Sequence, residues 1–224
     1  ILASAAKLKN PLIKIIGVEP EGAASALEAR KSHHVVELDE ANTIADGTAV
    51  KKIGDITFDY IEKYVDDIVT VSDYELMAAF LVLVEKHKIV AENSGILAVA
   101  GLKKLNVTGK KIISIISGGN IDVLTISSMI NKGLVARGRI FTFAVDLPDK
   151  PGQLVAVSQI LSEQNANVIR LEHNQFKNLD RFHEVELQVT VETNGEEHIN
   201  KITQEFEKKG YIIRRLNAQA MIDD

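Results

Sequence analysis

The chain has 224 residues, enough for one large domain or two ordinary ones, and its 46% hydrophobic and 25% charged residues are the balance of a globular protein. A formal net charge of −5, with no basic stripe interleaved with aromatics, argues against a nucleic-acid partner. No apolar run reaches membrane-span length and no signal peptide is visible, so no membrane partner is expected; the absence of cysteine excludes disulfide and thiolate chemistry and fits the reducing cytoplasm, the expected location.

The chain opens on ILASAAKLKN, an amphipathic helical pattern without an initiator Met, which reads as a piece of a longer protein. After the Asn10-Pro11 break, IKIIGVE (13–19) is a compact apolar strand; DIVTVS (67–72) and KKIISIIS (110–117) are two more. Ser72-Asp73-Tyr74-Glu75 is a capping box that opens a helix through ELMAAFLVLVEKHK, and a second helix is expected over about 94–105. Short apolar strands alternating with helices indicate βαβ units and a parallel sheet. Near Arg137-Gly138 the pattern changes. Strand 139–147 leads into Pro148-Asp149-Lys150-Pro151-Gly152, then come a helix to about Asn165, strands 167–176 and 182–193, a helix over 196–209 ended by Gly210, and strand 211–216. That order, βαββαβ, describes a ferredoxin-like sandwich after a linker at 133–138, with domains at 1–132 and 139–224.

One junction calls for explanation. In IISIISGGNI (112–121) an apolar run stops at Ser117-Gly118-Gly119-Asn120, and apolar periodicity resumes just beyond. Ligands of open parallel sheets sit beyond the carboxyl ends of the strands, and glycines there let backbone approach a flat ligand closely. A strand-to-helix turn with Ser117 as N-cap fits the same residues, and SGGN alone does not decide between them.

Taken together, IGVEP (16–20), TIADGTAV (43–50), VDDIVTVS (65–72), VAENSG (90–95) and ISIISGGNID (113–122) resemble the pyridoxal-phosphate-dependent serine/threonine dehydratase family over essentially all of residues 1–125. The resemblance implies a tryptophan-synthase-β-like (fold type II) α/β domain. It also implies pyridoxal phosphate as cofactor, an amino-acid substrate, and conversion of L-threonine to 2-oxobutanoate and ammonia, with activity on L-serine. Ser117 then meets the cofactor's pyridine nitrogen. A neutral hydroxyl there makes the ring a moderate electron sink, suited to eliminating a β-hydroxyl. Gly118, Gly119, Asn120, Gly47 and Glu92 border the cofactor, and Asp46 and Ser94 the substrate. Read from the residues alone, Asp46 is an ordinary Asp-Gly turn and Glu92 an acid at a helix N-terminus. Some relatives bind a divalent or monovalent cation through a VEP-type glutamate, here Glu19, but Ser25 stands where a second carboxylate is expected. The family's Schiff-base lysine, asparagine loop and tetraglycine loop lie in an N-terminal segment. No lysine here sits in an S-x-K-x-R context, so the first region corresponds to the C-terminal half of a catalytic domain.

Residues 139–216, with DLPDKPGQL (146–154), resemble the ACT domain, a regulatory module that pairs with a second copy and binds amino acids. The resemblance places Asp149, Gly152 and Asn167 at the effector and implies a homo-oligomer through ACT pairing. The turn also reads simply as a rigid connection, with Asn167 starting a strand. Two other readings of the whole stand beside the dehydratase: a non-catalytic amino-acid-binding and oligomerisation module, and a racemase of the same fold.

Overall fold

The structure, a computed structural model, describes residues 1–106, 108–174 and 184–216. It forms two compact units, divided between Ile130 and Asn131.

In the first unit, α1 (Leu2–Lys9) precedes β1 (Ile16–Pro20), and a long crossover carrying α2 (Ser25–Ser32) and α3 (Asp55–Tyr64) leads to β2 (Asp67–Val71). The crossover lets β2 lie parallel to β1, in register from Ile16 opposite Asp67 to Pro20 opposite Val71. Ser72 then caps α4 (Asp73–Val82) with both bonds of the capping box in place: its hydroxyl accepts from the Glu75 N–H, and the Glu75 carboxylate accepts from the Ser72 N–H at 2.9 Å. Lys104 pairs with the same carboxylate at 2.8 Å, tying the start of α4 to the 101–104 turn. Leu76 and Phe80 of α4 are fully buried with Val71 and Ile96.

Two expected elements differ. The helix expected over 94–105 is broken into a 3-10 turn, the four-residue α5 (Leu97–Ala100) and a second 3-10 turn. Gly101 sits so close to β1 that a Cβ on it would lie 2.7 Å from Val18 Cγ2, a proximity that holds the segment against the sheet. The strand expected over 110–117 is not formed. Its residues pair with no strand among the described residues, and Ile113 is 87% exposed. β-branched composition favours an extended backbone but supplies no partner for its N–H and C=O groups.

Beyond it, Asp122 accepts from the Leu124 and Thr125 N–H groups and opens α6 (Val123–Ala136). The helix runs through 133–136, where a linker was expected. It stops at Gly138 (φ +62°), where the Arg139 N–H reaches the Leu134 carbonyl and the Gly138 N–H the Val135 carbonyl. This double bond pattern needs a left-handed residue, so Gly138 rather than Gly133 ends the helix.

The second unit follows the order β3 (Ile140–Pro148), α7 (Gln153–Glu163), β4 (Asn167–Asn174), β5 (Glu184–Glu192), α8 (Glu196–Lys208), β6 (Ile213–Arg215). The sheet order is β4-β5-β3-β6 with antiparallel neighbours, a split βαβ arrangement. Residues 175–176 and 182–183 of the expected strands lie outside the described residues. Period-2 alternation sends Val185, Leu187, Val189 and Val191 into the core with Phe143, whose ring lies 5.2 Å from those of both Phe141 and Phe206. The opposite face is polar but far from bare. Glu186 is buried and accepts from Arg214 at 2.8 Å, and the hydroxyls of Thr142 and Thr190 meet at 3.0 Å.

Asp66 gives the first unit a pH dependence. It accepts from the Ile15 N–H at 2.6 Å and from the Lys7 ammonium at 2.8 Å, fastening α1 to the start of β1. The Ile15 N–H first, and then Lys7, hold its carboxyl below the ordinary aspartate range. The folded chain therefore takes up that proton less readily than the unfolded chain. Its stabilisation is complete above the ordinary value of about 3.9 and is lost as pH falls through the lowered folded value. Asp66→Asn should be less stable than wild type at pH 7 and lose less stability between pH 5 and 2, as read by thermal melts. Parallel melting curves across that range would show that Asp66 is not coupled to folding.

Candidate functional site

Three loops of the first unit converge: 43–48 after the α2 side of the crossover, 92–95 after α4, and 117–120 before α6. Each is fixed from behind. Asp73 at the start of α4 accepts from the Thr43 hydroxyl at 2.6 Å and the Ile44 N–H at 3.1 Å. Asn93, 6% exposed, donates from Nδ2 to the Ile44 carbonyl at 2.7 Å, which joins the first loop to the second.

The second and third loops are joined backbone to backbone. The Ser117 N–H donates to the Gly95 carbonyl and the Glu92 N–H to the Gly118 carbonyl, both at 3.3 Å. Gly95 is the close-approach residue. A Cβ on it would lie 1.6 Å from the Ser117 carbonyl oxygen, so only glycine permits this contact. The Glu92 carboxylate turns toward the third loop and accepts the Asn120 N–H at 3.2 Å. Gly118, at φ +76°, leaves the space that the carboxylate occupies. Gly47 lies on the other side of Glu92 and Ser94; a Cβ there would come 2.8 Å from Ser94 Oγ.

Ser117, Gly118, Asn120, Gly47, Glu92 and Ser94 are thus one constellation. Ser117, Gly118, Gly119 and Asn120 are exposed, and no atom stands within 4 Å of a Cβ built on Gly119. Ser117 caps no helix; that role falls to Asp122. Asp46 is exposed and accepts from the Gly47 N–H at 2.9 Å, the geometry of an Asp-Gly turn. Asn93 and Gly95 also belong to the constellation; both stand inside VAENSG, but nothing in that segment singles them out, because their roles depend on Ile44 and Ser117, distant in sequence. Beside Gly47 a cavity of about 260 Å³ extends along β1 and α3, lined by Gly17, Glu19, Ile61 and Ile68 among others.

Glu19 lies at the end of β1 with both carboxylate oxygens engaged, accepting from the Ala26 N–H at 2.9 Å and the Leu27 N–H at 2.8 Å in the first turn of α2. Burial pushes its carboxyl above the ordinary glutamate range, with the two N–H groups opposing the shift. A cation would have to compete with the helix for those oxygens. Among the described residues no cluster of three His, Cys, Asp or Glu side chains is placed to hold a metal ion. No described helix is long and apolar enough to cross a membrane.

In the second unit, Gly152 (φ +94°) precedes α7 and Asp149 is exposed in the turn before it. Asn167 donates to the Glu192 carboxylate at 3.1 Å. One copy does not bring these residues together. Pro148 stands opposite Glu184 and Asn167 opposite Glu192, at the two ends of β5. Eight residue steps separate those ends, about 26 Å at the usual strand rise.

The family model for pyridoxal-phosphate dependent enzymes matches residues 2–118, more than half of the chain and nearly all of the first unit. The chain belongs to this family. The cofactor is therefore pyridoxal phosphate. An L-threonine ammonia-lyase of Thermotoga maritima is 40% identical over 211 residues, 94% of this chain and 53% of that protein. The processed form of threonine deaminase isoform 2 from Solanum lycopersicum has 33% identity and a TM-score of 0.53, covering 57% of this chain and 38% of the other. Maize serine racemase has 33% identity and a TM-score of 0.52, covering 58% and 43%. The chain spans about half the length of the curated relatives it matches.

The constellation fits one side of such a cofactor. Gly119 has open space on its Cβ side, where a flat ring could approach, whereas the space beside Gly118 is taken by the Glu92 carboxylate. The buried Ser94 hydroxyl and Asn93 Oδ1 have no hydrogen-bond partner among the described residues, so the site holds unspent polar capacity. The Gly95 contact yields a direct test. Gly95→Ala should push the 117–120 loop away, cost about 1–3 kcal/mol of stability and shift the Ser117 and Gly118 amide resonances. Gly119→Ala, in open space, should melt within about 0.5 kcal/mol of wild type. Equal behaviour of the two variants would remove Gly95 from the site.

Proposed function

We propose that the chain is the C-terminal part of a pyridoxal-phosphate-dependent threonine dehydratase that converts L-threonine to 2-oxobutanoate and ammonia and also acts on L-serine. The observation that carries this is the convergence of the 43–48, 92–95 and 117–120 loops, together with threonine ammonia-lyase relatives at up to 40% identity along nearly the whole chain. Bound pyridoxal phosphate supplies the electron sink that allows an amino acid to lose its Cα proton and then its β-hydroxyl. The chain's own residues hold and orient. Ser117 offers the ring nitrogen a neutral hydrogen bond, while Gly119 lets backbone approach the ring and Gly118 makes room for the Glu92 carboxylate behind it. Asp46 and Ser94 face the substrate, with Ser94 finding there the partner its buried hydroxyl lacks. Nothing assigned to residues 1–130 forms the covalent attachment, which falls to a lysine outside this chain.

Residues 139–224 act in this reading as an ACT domain that binds an amino-acid effector in a homo-oligomer. Its support is geometric. β4 is an edge strand with Val168, Ile169 and Leu171 partly exposed. Antiparallel pairing of β4 with its counterpart about a twofold axis sets Asn167 of one copy beside the far end of β4 in the other. That is the end where the Pro148–Gly152 turn lies, so pairing unites Asp149 and Asn167 as one chain alone does not. Free N–H groups at the start of α7 suit the effector's carboxylate, and Asp149 its ammonium. The serine racemase likeness keeps a racemase parent as the second reading.

Incubated alone with pyridoxal phosphate and L-threonine, the chain should form no 2-oxobutanoate and show no lysine labelled on borohydride reduction. Stoichiometric labelling with turnover would overturn the partial reading. In the complete protein, release of 2-oxobutanoate rather than racemised serine supports the dehydratase. There Ser117→Ala should lower turnover or cofactor affinity roughly ten- to a hundredfold, the cost of an unpaired buried nitrogen, about 1–3 kcal/mol. For the second unit, a saturating amino acid should raise the melting temperature of the chain, and Asp149→Ala or Asn167→Ala should abolish the shift. If none of the twenty amino acids moves it, the effector reading fails.

A further inference from the structure

We propose that Glu92 is a positioning residue, a strut that sets the 117–120 loop, rather than a group that touches the cofactor. This rests on the reading of that loop as cofactor-facing, but the contacts that carry it lie within the chain.

The 110–117 segment arrives at the site without a ladder, since no strand among the described residues pairs with it. What fixes its end is a short set of contacts, and Glu92 supplies most of them. Its N–H holds the Gly118 carbonyl at 3.3 Å, and its carboxylate Oε2 accepts the Asn120 N–H at 3.2 Å. The carboxylate also fills the volume that a side chain at 118 would need, for a Cβ there would fall 1.9 Å from Glu92 Cδ. On its other flank, Oε1 lies 3.9 Å from the position of a Cβ on Gly47. One carboxyl group is therefore wedged between the first and third loops, with its charge turned to a backbone N–H. Gly118 and Glu92 form a matched pair: the glycine gives room and the carboxylate uses it.

The pairing predicts behaviour that an unrelated surface acid would not show. In Glu92→Ala the Asn120 amide loses its acceptor, and its hydrogen exchange should quicken by about tenfold or more, the usual effect of removing a charge-assisted bond. Glu92→Gln keeps an oxygen in the same place, so Asn120 should retain most of its protection. Gly118→Ala should release the same amide by driving the carboxylate out. Combining it with Glu92→Ala should add little further, because the two changes break one contact. Exchange is measured on the full chain without cofactor. If Glu92→Ala fails to fold, Glu92→Asp, one methylene shorter, withdraws the carboxylate and should still release Asn120. Unchanged Asn120 exchange in the Ala or Asp variant, or fully additive effects of the 92 and 118 changes, would overturn the proposal. Because no cofactor is present, a failure of the dehydratase reading leaves this result untouched. Where the complete protein retains pyridoxal phosphate, cofactor fluorescence should show weaker binding in Glu92→Ala and recovery in Glu92→Gln.

Discussion

The contact between Gly95 and the Ser117 backbone is the constraint on which the site depends. A peptide carbonyl can approach a Cα this closely only where no side chain intervenes, and a Cβ at 95 would sit 1.6 Å from the oxygen. Once the contact forms, Ser117 can donate to the Gly95 carbonyl and Gly118 can accept from Glu92, so one missing methyl group permits two hydrogen bonds. The loop is thereby held in place of a sheet, since segment 110–117 joins none among the described residues. A polar loop fixed through backbone hydrogen bonds keeps its geometry while remaining exposed.

The same principle runs backward into the framework. Asp73 both begins α4 and anchors Thr43 and Ile44, while Glu75, two residues on, completes the capping box and pairs with Lys104. The start of one helix therefore orients the first loop and the turn after the second. That helix is itself fixed by Leu76 and Phe80, buried with Val71 at the end of β2. Displacement of α4 would move all of these together, which ties the packing of an apolar core to the position of exposed polar groups.

Much of this was legible in the sequence because it is local. The capping box at 72–75, the period-2 alternation of 185–191 and the helix ended by Gly210 depend on residues within a few positions of each other, and the structure has them. What was not legible depends on partners distant in sequence. The run at 110–117 has every strand propensity, yet pairing is decided by what lies alongside it. Residues 94–105 have helical apolar spacing, yet Gly101 against Val18 and Gly95 against Ser117 impose turns that spacing cannot reveal. Gly133 looked like a break and is accommodated within α6, since a helix tolerates one glycine at about 1 kcal/mol. Gly138 ends it because two carbonyls, of Leu134 and Val135, find donors there. For the candidate site, the motif segments pointed to three loops that the fold brings together, but the inward residues Asn93 and Gly95 emerged only from the contacts.

The second unit shows the opposite balance. Its sheet closes its own core, with Phe143 between Phe141 and Phe206, and its polar face is self-satisfied, as the pairing of Arg214 with Glu186 and Asp146 shows. Removing Arg214 would take a 2.8 Å ion pair from the buried Glu186, a larger disturbance than the loss of an exposed pair. A face so occupied has little left to offer a partner. The edge strand β4 is different: among the described residues no strand pairs with its outer side, and Val168, Ile169 and Leu171 are partly exposed. Unpaired edges invite a further strand. In the proposed pairing the edge, rather than the face, is therefore the surface that meets a second copy, and the direction of β4 sets which ends of the two copies lie together.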